Sequence, residues 1–480
     1  MTLPVTEILC EWASRTTFED IPLRTVQCAK EQVISIIAAI YAGSRADFLQ
    51  PLYRAVREWG DREEATLVGA GFKSSMRSAG MVNAVAAQAL EWEDYLKSQH
   101  SGASTVPAAL AVAEGVGASG RDFLTALIIG NEVSGRTGHA YIHSRLFTNS
   151  CPNHQIDAAI VAGKLLGLDK EQLRDAVGIS CFPPLTQCFA GWLSSTKGMI
   201  TGAPVLAGIT AASLAAHGMH GFRSIIEHPD GFSNAVFERY DLEEMVKGLG
   251  SDWRTDTHSP KLYPCCGWLD ALVDSALDLL EEHALTWREI ERVEVRCPTV
   301  TLLLRRPVDE LLELIGHIAD KEWLSPVPLF FDATYPLAVA IMDRELTASQ
   351  FTRDRMRDPD LPGFLRRFYY VADPLLDLKE MEEGVNAGEV TLVLKDGRKV
   401  AKFTEAMKGV TSSIFGQHAQ RRAQAGHGTG GKGKRRDGTQ LRPSVAKAKG
   451  IPGWEVKENG ERGHSFDLRS PKPRGSRDGR

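Results

Sequence analysis

Signatures of metal binding and of nucleophilic catalysis are missing from this chain. Its eight cysteines, Cys10, Cys28, Cys151, Cys181, Cys188, Cys265, Cys266 and Cys297, contain no C-x-x-C pair, and no His/Cys spacing typical of zinc accompanies them. Without a disulfide framework, reduced thiols in an intracellular compartment are expected, cytoplasmic or mitochondrial alike. The vicinal pair Cys265 and Cys266 reads as buried structural thiols, with a redox role as the alternative. Neither H-E-x-x-H nor G-x-S-x-G occurs, which excludes the zinc-peptidase and nucleophile-elbow readings. No metal and no cofactor is expected. Glu7 comes early and no cationic segment leads into an apolar run, so no signal peptide is expected. Asp, Glu, Lys and Arg are absent from Gly198 to Phe222, a stretch long enough to span a membrane. Its Gly, Ala, Ser and Thr content, Pro204 and two histidines fit a buried core helix instead, and no membrane association is expected.

At 480 residues with 43% hydrophobic content, the chain exceeds one ordinary domain and can bury a sizeable core. The net charge of −5 hides an asymmetry: from His418 onward there are 16 Lys and Arg against 6 Asp and Glu, leaving 40 against 55 before it. An acidic body argues against a nucleic-acid surface, and an anionic substrate must meet a locally basic pocket. The tail, with GHGTGGKGKRRDGTQ and RSPKPRGSRDGR, has the composition of a disordered segment. Gly426-His427-Gly428-Thr429-Gly430-Gly431 matches G-x-G-x-x-G by letter, but no strand precedes it and it reads as accidental.

Helical periodicity dominates the first 250 residues. Pro22 to Gly43 carries an apolar stripe through Val26, Val33, Ile36, Ile37 and Ile40, and further helices are expected at Met81–Leu90, Thr105–Val116, Asp122–Ala140, Ile156–Leu166, Lys170–Cys181 and Ile200–His217. Glu132 and Arg136 fall at the i, i+4 spacing of a stabilising pair. Beyond Pro260 the pattern mixes. Trp268–His283 and Tyr335–Asp343 read as helices, Ile290–Cys297 alternates as a strand, and Gly388–Leu394 with Lys399–Phe403 forms a hairpin across Lys395-Asp396-Gly397. The expectation is a mainly α protein: a large all-helical domain over 1–258, a smaller α+β lid domain over 259–407, and a basic tail over 408–480.

Ala86 to Pro107 (AAQALEWEDYLKSQHSGASTVP) is the stretch richest in chemistry. Glu91, Glu93 and Asp94 close an apolar helix, and His100 follows just ahead of another helix, a position that favours anions. Ser101 and Ser104 are candidate caps, with Pro107 in the first turn. A solvated acidic connector is the alternative. His154, in Cys151-Pro152-Asn153-His154 before an apolar helix, suits proton transfer, or is a surface-loop histidine. Lys197 precedes the uncharged segment, as a carboxylate partner or a snorkelling helix-end lysine. Lys261 sits at the domain boundary, where clefts favour ligands. Tyr335 opens a buried helix, with its phenol either a donor to substrate or a satisfied core hydroxyl.

Taken together, AKEQVISIIAAIYAGSR, ATLVGAGFKSSMRSAGMVNAVAAQALEWEDY, HSGASTVPAALAVAEG, AGKLLGL, STKG, DGF, KLYPCCG and YPLAVAIMD resemble, in this order over residues 5–407, the MmgE/PrpD family of 2-methylcitrate dehydratases and cis-aconitate decarboxylases. The resemblance implies a site between helical domain and lid, a homodimer, and a metal-independent lyase acting on a citrate-like tricarboxylate. Dehydration of 2-methylcitrate or a related alkylcitrate is the first expectation; cis-aconitate decarboxylation, or an inactive family member that only binds, is the alternative. It also implies roles: His100 and His154 as acid/base groups, Lys197 and Lys261 as carboxylate clamps, Glu91 or Asp94 as orienter, Tyr335 as donor. Two departures stand out. Glu91 replaces the usual aspartate, and His154 lies closer to AGKLLGL than the family histidine does.

Overall fold

A computed structural model describes residues 3–96, 99–144, 153–182, 189–322, 324–383 and 386–409. The basic tail from 410 onward, with its expected disorder, lies outside the described residues, as do Cys151 and Cys188. The fold is mainly α with small sheets.

Two hydrophobic cores form within the compact unit Met1–Ala419. The first is helical. Helices Leu23–Gly43, Met76–Gln88, Gly102–Val116, Gly120–Ala140, His154–Leu165, Lys170–Ser180 and Met199–Ala216 bury residues such as Ile36, Val82, Val106, Ile129, Ile160 and Ile209 against one another. Alanine and glycine on the facing surfaces let these helices approach closely, so dispersion contacts are dense. Met199–Ala216, the one described helix long and apolar enough to cross a membrane, packs on Met76–Gln88, His154–Leu165 and Lys170–Ser180.

The second core lies between helices and a four-stranded sheet. Gly388–Leu394 pairs antiparallel with both Lys399–Thr404 and Ile290–Cys297, and Phe368–Ala372 joins Ile290–Cys297 in parallel on the far side. Val293, Val295, Val390 and Leu392 of this sheet share the second core with helix Asp270–Glu282, which packs on the hairpin strands, and with helix Tyr335–Asp343, which packs on that helix. The parallel strand Phe368–Ala372 was not legible as a strand in the sequence, whereas the hairpin was.

Element ends differ from the sequence expectation in instructive ways. The helix expected from Met81 starts at Met76, because the Ser75 hydroxyl accepts the Ser78 N–H and caps it. The helix expected from Thr105 starts at Gly102, which places Pro107 inside it rather than in the first turn. The cap responsible is distant in sequence: the Asp94 carboxylate accepts the Gly102 N–H at 3.1 Å.

The chain passes from one core to the other inside the opening stretch. Ala89 belongs to the helical core and Leu90 to the second. A two-residue antiparallel pairing, Tyr95 with Ser259 and Leu96 with His258, then fastens the stretch to the segment leading into Lys261. The expected boundary at 258/259 falls inside this pairing.

Candidate active site

Past the Met76–Gln88 helix the backbone turns sharply, and Glu91 adopts the left-handed conformation at φ 54°. A non-glycine residue there carries roughly 1–2 kcal/mol of strain. Two buried lysines hold it. Lys261 Nζ donates to the Glu91 carbonyl at 3.1 Å and to its Oε1 at 3.0 Å, and Lys197 Nζ pairs with Oε2 while donating to the Gln88 carbonyl at 3.0 Å. Glu91, Lys197 and Lys261 are all buried. Burial opposes the Glu91 charge, yet the two ammonium groups outweigh it and hold the carboxyl down to about 2. Burial likewise opposes the Lys261 charge, and Glu91 and Glu93 overcome it, raising that ammonium well above its ordinary value.

Glu93 completes the cluster. Its Oε1 lies 3.7 Å from Lys197 Nζ, 3.6 Å from Lys261 Nζ and 3.5 Å from His100 Nδ1. The sequence reading noted Glu93 but gave it no role. The available signal was its place in the same acidic run, two residues from Glu91.

His100 approaches from the turn ahead of helix Gly102–Val116. Its Nδ1 is 2.9 Å from the Asp94 carbonyl. A carbonyl only accepts, so the proton sits on Nδ1 and the Nε2 lone pair is the basic position of the neutral ring. The imidazole lies against Tyr95, with ring centroids 4.8 Å apart, and Lys261 Nζ sits 5.3 Å from the same Tyr95 ring. Burial pulls His100 below its ordinary value, opposed by the Glu93 carboxylate and reinforced by Lys261.

Gly267, in the KLYPCCG stretch, explains how the tyrosine fits. A Cβ there would stand 1.6 Å from the Tyr95 hydroxyl oxygen, so only glycine lets this backbone pass. Burial pushes the neighbouring Cys266 thiol up to about 12 and holds the Cys265 thiol well above its ordinary value, which suits inert core thiols.

Three residues singled out in the sequence occupy other places. Asp94 does not face the lysines. Its carboxylate accepts from Gln32 Nε2 at 2.7 Å and from the Gly102 N–H, and lies 3.4 Å from His258 Nε2. It caps the helix Gly102–Val116, and its main-chain carbonyl meets His100. Tyr335 is buried in the second core, where its hydroxyl donates to the Gln350 carbonyl at 2.6 Å and its ring packs on Phe351. That bond engages the phenol proton inside the core, the arrangement expected of a satisfied core hydroxyl. His154 is no surface-loop residue: it is fully buried as the first residue of its helix, with Nδ1 2.8 Å from Asp157 Oδ2 and 3.0 Å from Ser104 Oγ. Ser104 belongs to the first turn of the helix that follows His100, so both histidines border one helix end. Burial raises the Asp157 carboxyl despite this histidine.

A 740 Å³ groove opens beside Leu90, between Phe48, Phe330, Phe351, Met356 and Arg353, and contains neither lysine. The convergence of two buried cations, two carboxylates and a histidine is the stronger indicator of chemistry.

Two family models match the chain: the MmgE/PrpD N-terminal domain over residues 7–245 and the MmgE/PrpD C-terminal domain over residues 263–417. Among known proteins, cis-aconitate decarboxylase of Aspergillus terreus is 27% identical over 428 residues, covering 85% of this chain and 86% of its own. Cis-aconitate decarboxylase of Homo sapiens is 25% identical over 406 residues, covering 80% of this chain and 78% of its own.

Proposed function

The chain belongs to the MmgE/PrpD family, and on that premise we propose that it is a lyase acting on a citrate-like tricarboxylate, with decarboxylation of a cis-aconitate-type substrate as the first reading. The observation that carries it is the meeting of Lys197, Lys261, Glu91, Glu93 and His100 at the seam of the two cores. The sequence reading put alkylcitrate dehydration first. Two considerations favour the reverse order: relatives over most of the chain are named as decarboxylases, and the Tyr335 hydroxyl donates to the Gln350 carbonyl, which weakens the case for a second proton donor.

Decarboxylation requires one proton transfer. The bond from carbon to the departing carboxylate breaks, carbon dioxide leaves, and the electron pair stays on carbon, delocalised toward a neighbouring carboxylate. Lys197 and Lys261 stabilise that developing charge. The His100 imidazolium then gives its Nε2 proton to the carbon and ends neutral. Dehydration instead needs a base for the proton α to a carboxylate and an acid for the departing hydroxyl, a pairing that His154 with His100 would have to provide.

Incubation of the purified protein with cis-aconitate, 2-methylcitrate and longer alkylcitrates, followed by mass spectrometry, separates the readings. Loss of carbon dioxide supports the first; loss of water alone transfers the proposal to dehydration. Thermal stabilisation by these acids without any product would identify a binding protein and overturn both.

A further inference from the structure

We propose that Glu93 is a positioning residue for His100: its carboxylate stabilises the imidazolium cation that exists while Nε2 carries a proton. The catalytic half of this statement rests on the lyase reading above; the electrostatic half does not.

The geometry separates Glu93 from the other two carboxylates of the stretch. Asp94 is engaged as a cap and by Gln32 and His258. Glu91 is bound by both lysines at hydrogen-bond distance. Glu93, equally buried, stands just beyond that distance from three cationic or potentially cationic groups, and its Oε2 has no hydrogen-bond partner among the described residues. The groups facing it come from three separate elements: Lys197 from the turn before helix Met199–Ala216, Lys261 from the segment after strand His258–Ser259, and His100 from the turn before helix Gly102–Val116. Glu91, two residues away on the same segment, is a like charge that shares both lysines with it.

Formal charges decide what Glu93 does there. Two ammonium groups balance Glu91 and Glu93 while His100 is neutral, and a proton on Nε2 makes the cluster positive. Without Glu93 that proton would meet two lysines and a single carboxylate, a like-charge penalty in a buried setting. Because Nδ1 already donates to the Asp94 carbonyl at 2.9 Å, Glu93 at 3.5 Å acts mainly through charge. It thereby keeps the imidazolium accessible in a place where burial disfavours it.

The test needs no substrate. NMR titration of the ligand-free protein labelled at histidine Cε1, with the His100 signal identified by its loss in His100→Asn, reads the imidazole midpoint directly. Glu93→Gln is expected to lower it by about one pH unit or more, the size of a lost opposite charge at this range. Glu93→Asp, which keeps the charge but withdraws it by one methylene, is expected to lower it less. An unmoved or raised midpoint in a folded variant overturns the proposal. Should Glu93→Gln fail to fold, an unmoved midpoint in Glu93→Asp does the same. In turnover, the pH limb assigned to His100 should move down with the midpoint, and a fall in kcat with that limb unmoved would leave Glu93 a merely structural role and overturn the catalytic half. Absence of turnover with every tricarboxylate would count against the lyase reading and that half alone, because the NMR result stands independently.

Discussion

Lys261 grips Glu91 twice, through its main-chain carbonyl at 3.1 Å and its carboxylate at 3.0 Å, so one ammonium group fixes both the backbone turn and the side chain of the same residue. The lysine is therefore part of the scaffold of the site as well as a candidate clamp. Replacing Lys261 by Met leaves Glu91 and Glu93 buried with one cation instead of two. A stability loss of about 3–5 kcal/mol is expected from an uncompensated buried charge, with turnover falling about 100-fold or more as the strained turn relaxes. Denaturant unfolding and steady-state assays check this. A loss below about 1 kcal/mol, the range of exposed pairs, would show that the pair is solvated.

Acid stability follows from Glu91. Its folded-state value of about 2 lies below the unfolded value of roughly 4.3. The resulting stabilisation is complete above the unfolded value and is lost as pH falls toward about 2. Wild-type protein should therefore lose a few kcal/mol more across this window than Glu91→Gln does. Unfolding midpoints measured at stepwise lower pH give the difference. Parallel pH profiles for the two proteins would be incompatible with the ion triad.

Gly102 permits the approach of Asp94. A Cβ at Gly102 would lie 2.5 Å from both carboxylate oxygens. Gly102→Ala should cost about 1–3 kcal/mol through overpacking and displace His100, two residues earlier. Asp94→Ala in the same chain removes the obstacle, so the double variant should be more stable than the sum of the single losses by at least about 0.5 kcal/mol. Additive losses would mean that the two residues do not meet.

Tyr335→Phe distinguishes a core hydroxyl from a general acid. Losing the bond to the Gln350 carbonyl should cost about 1–3 kcal/mol. Turnover should escape the 100-fold or greater loss expected when a general acid is removed. A loss of that size in a folded variant would return the phenol to the reaction.

The mainly helical character of the first half, which is interrupted by short strand pairs such as Ala65–Leu67 with Phe72–Ser74 where an all-helical domain was expected, the hairpin near the end and the chemical weight of Ala86 to Pro107 were set by local sequence. Apolar spacing, turn residues and charge clustering act over a few positions, and each can be read where it stands. Glu91, His100, Lys197 and Lys261 were recognisable as polar groups beside apolar helices for the same reason.

Tertiary structure decided what those groups do. Among three carboxylates within four residues, only contacts with Gln32, Gly102, Lys197 and Lys261 separate the cap Asp94 from the ion pair of Glu91 and from Glu93 beside the histidine. Tyr335 was drawn away by a carbonyl 15 residues further on. Composition and spacing along the chain fix which groups can ionise. Burial and the neighbours brought in by folding fix whether they do, and toward which partner, because both the loss of water and the approach of an opposite charge exist only once distant segments meet.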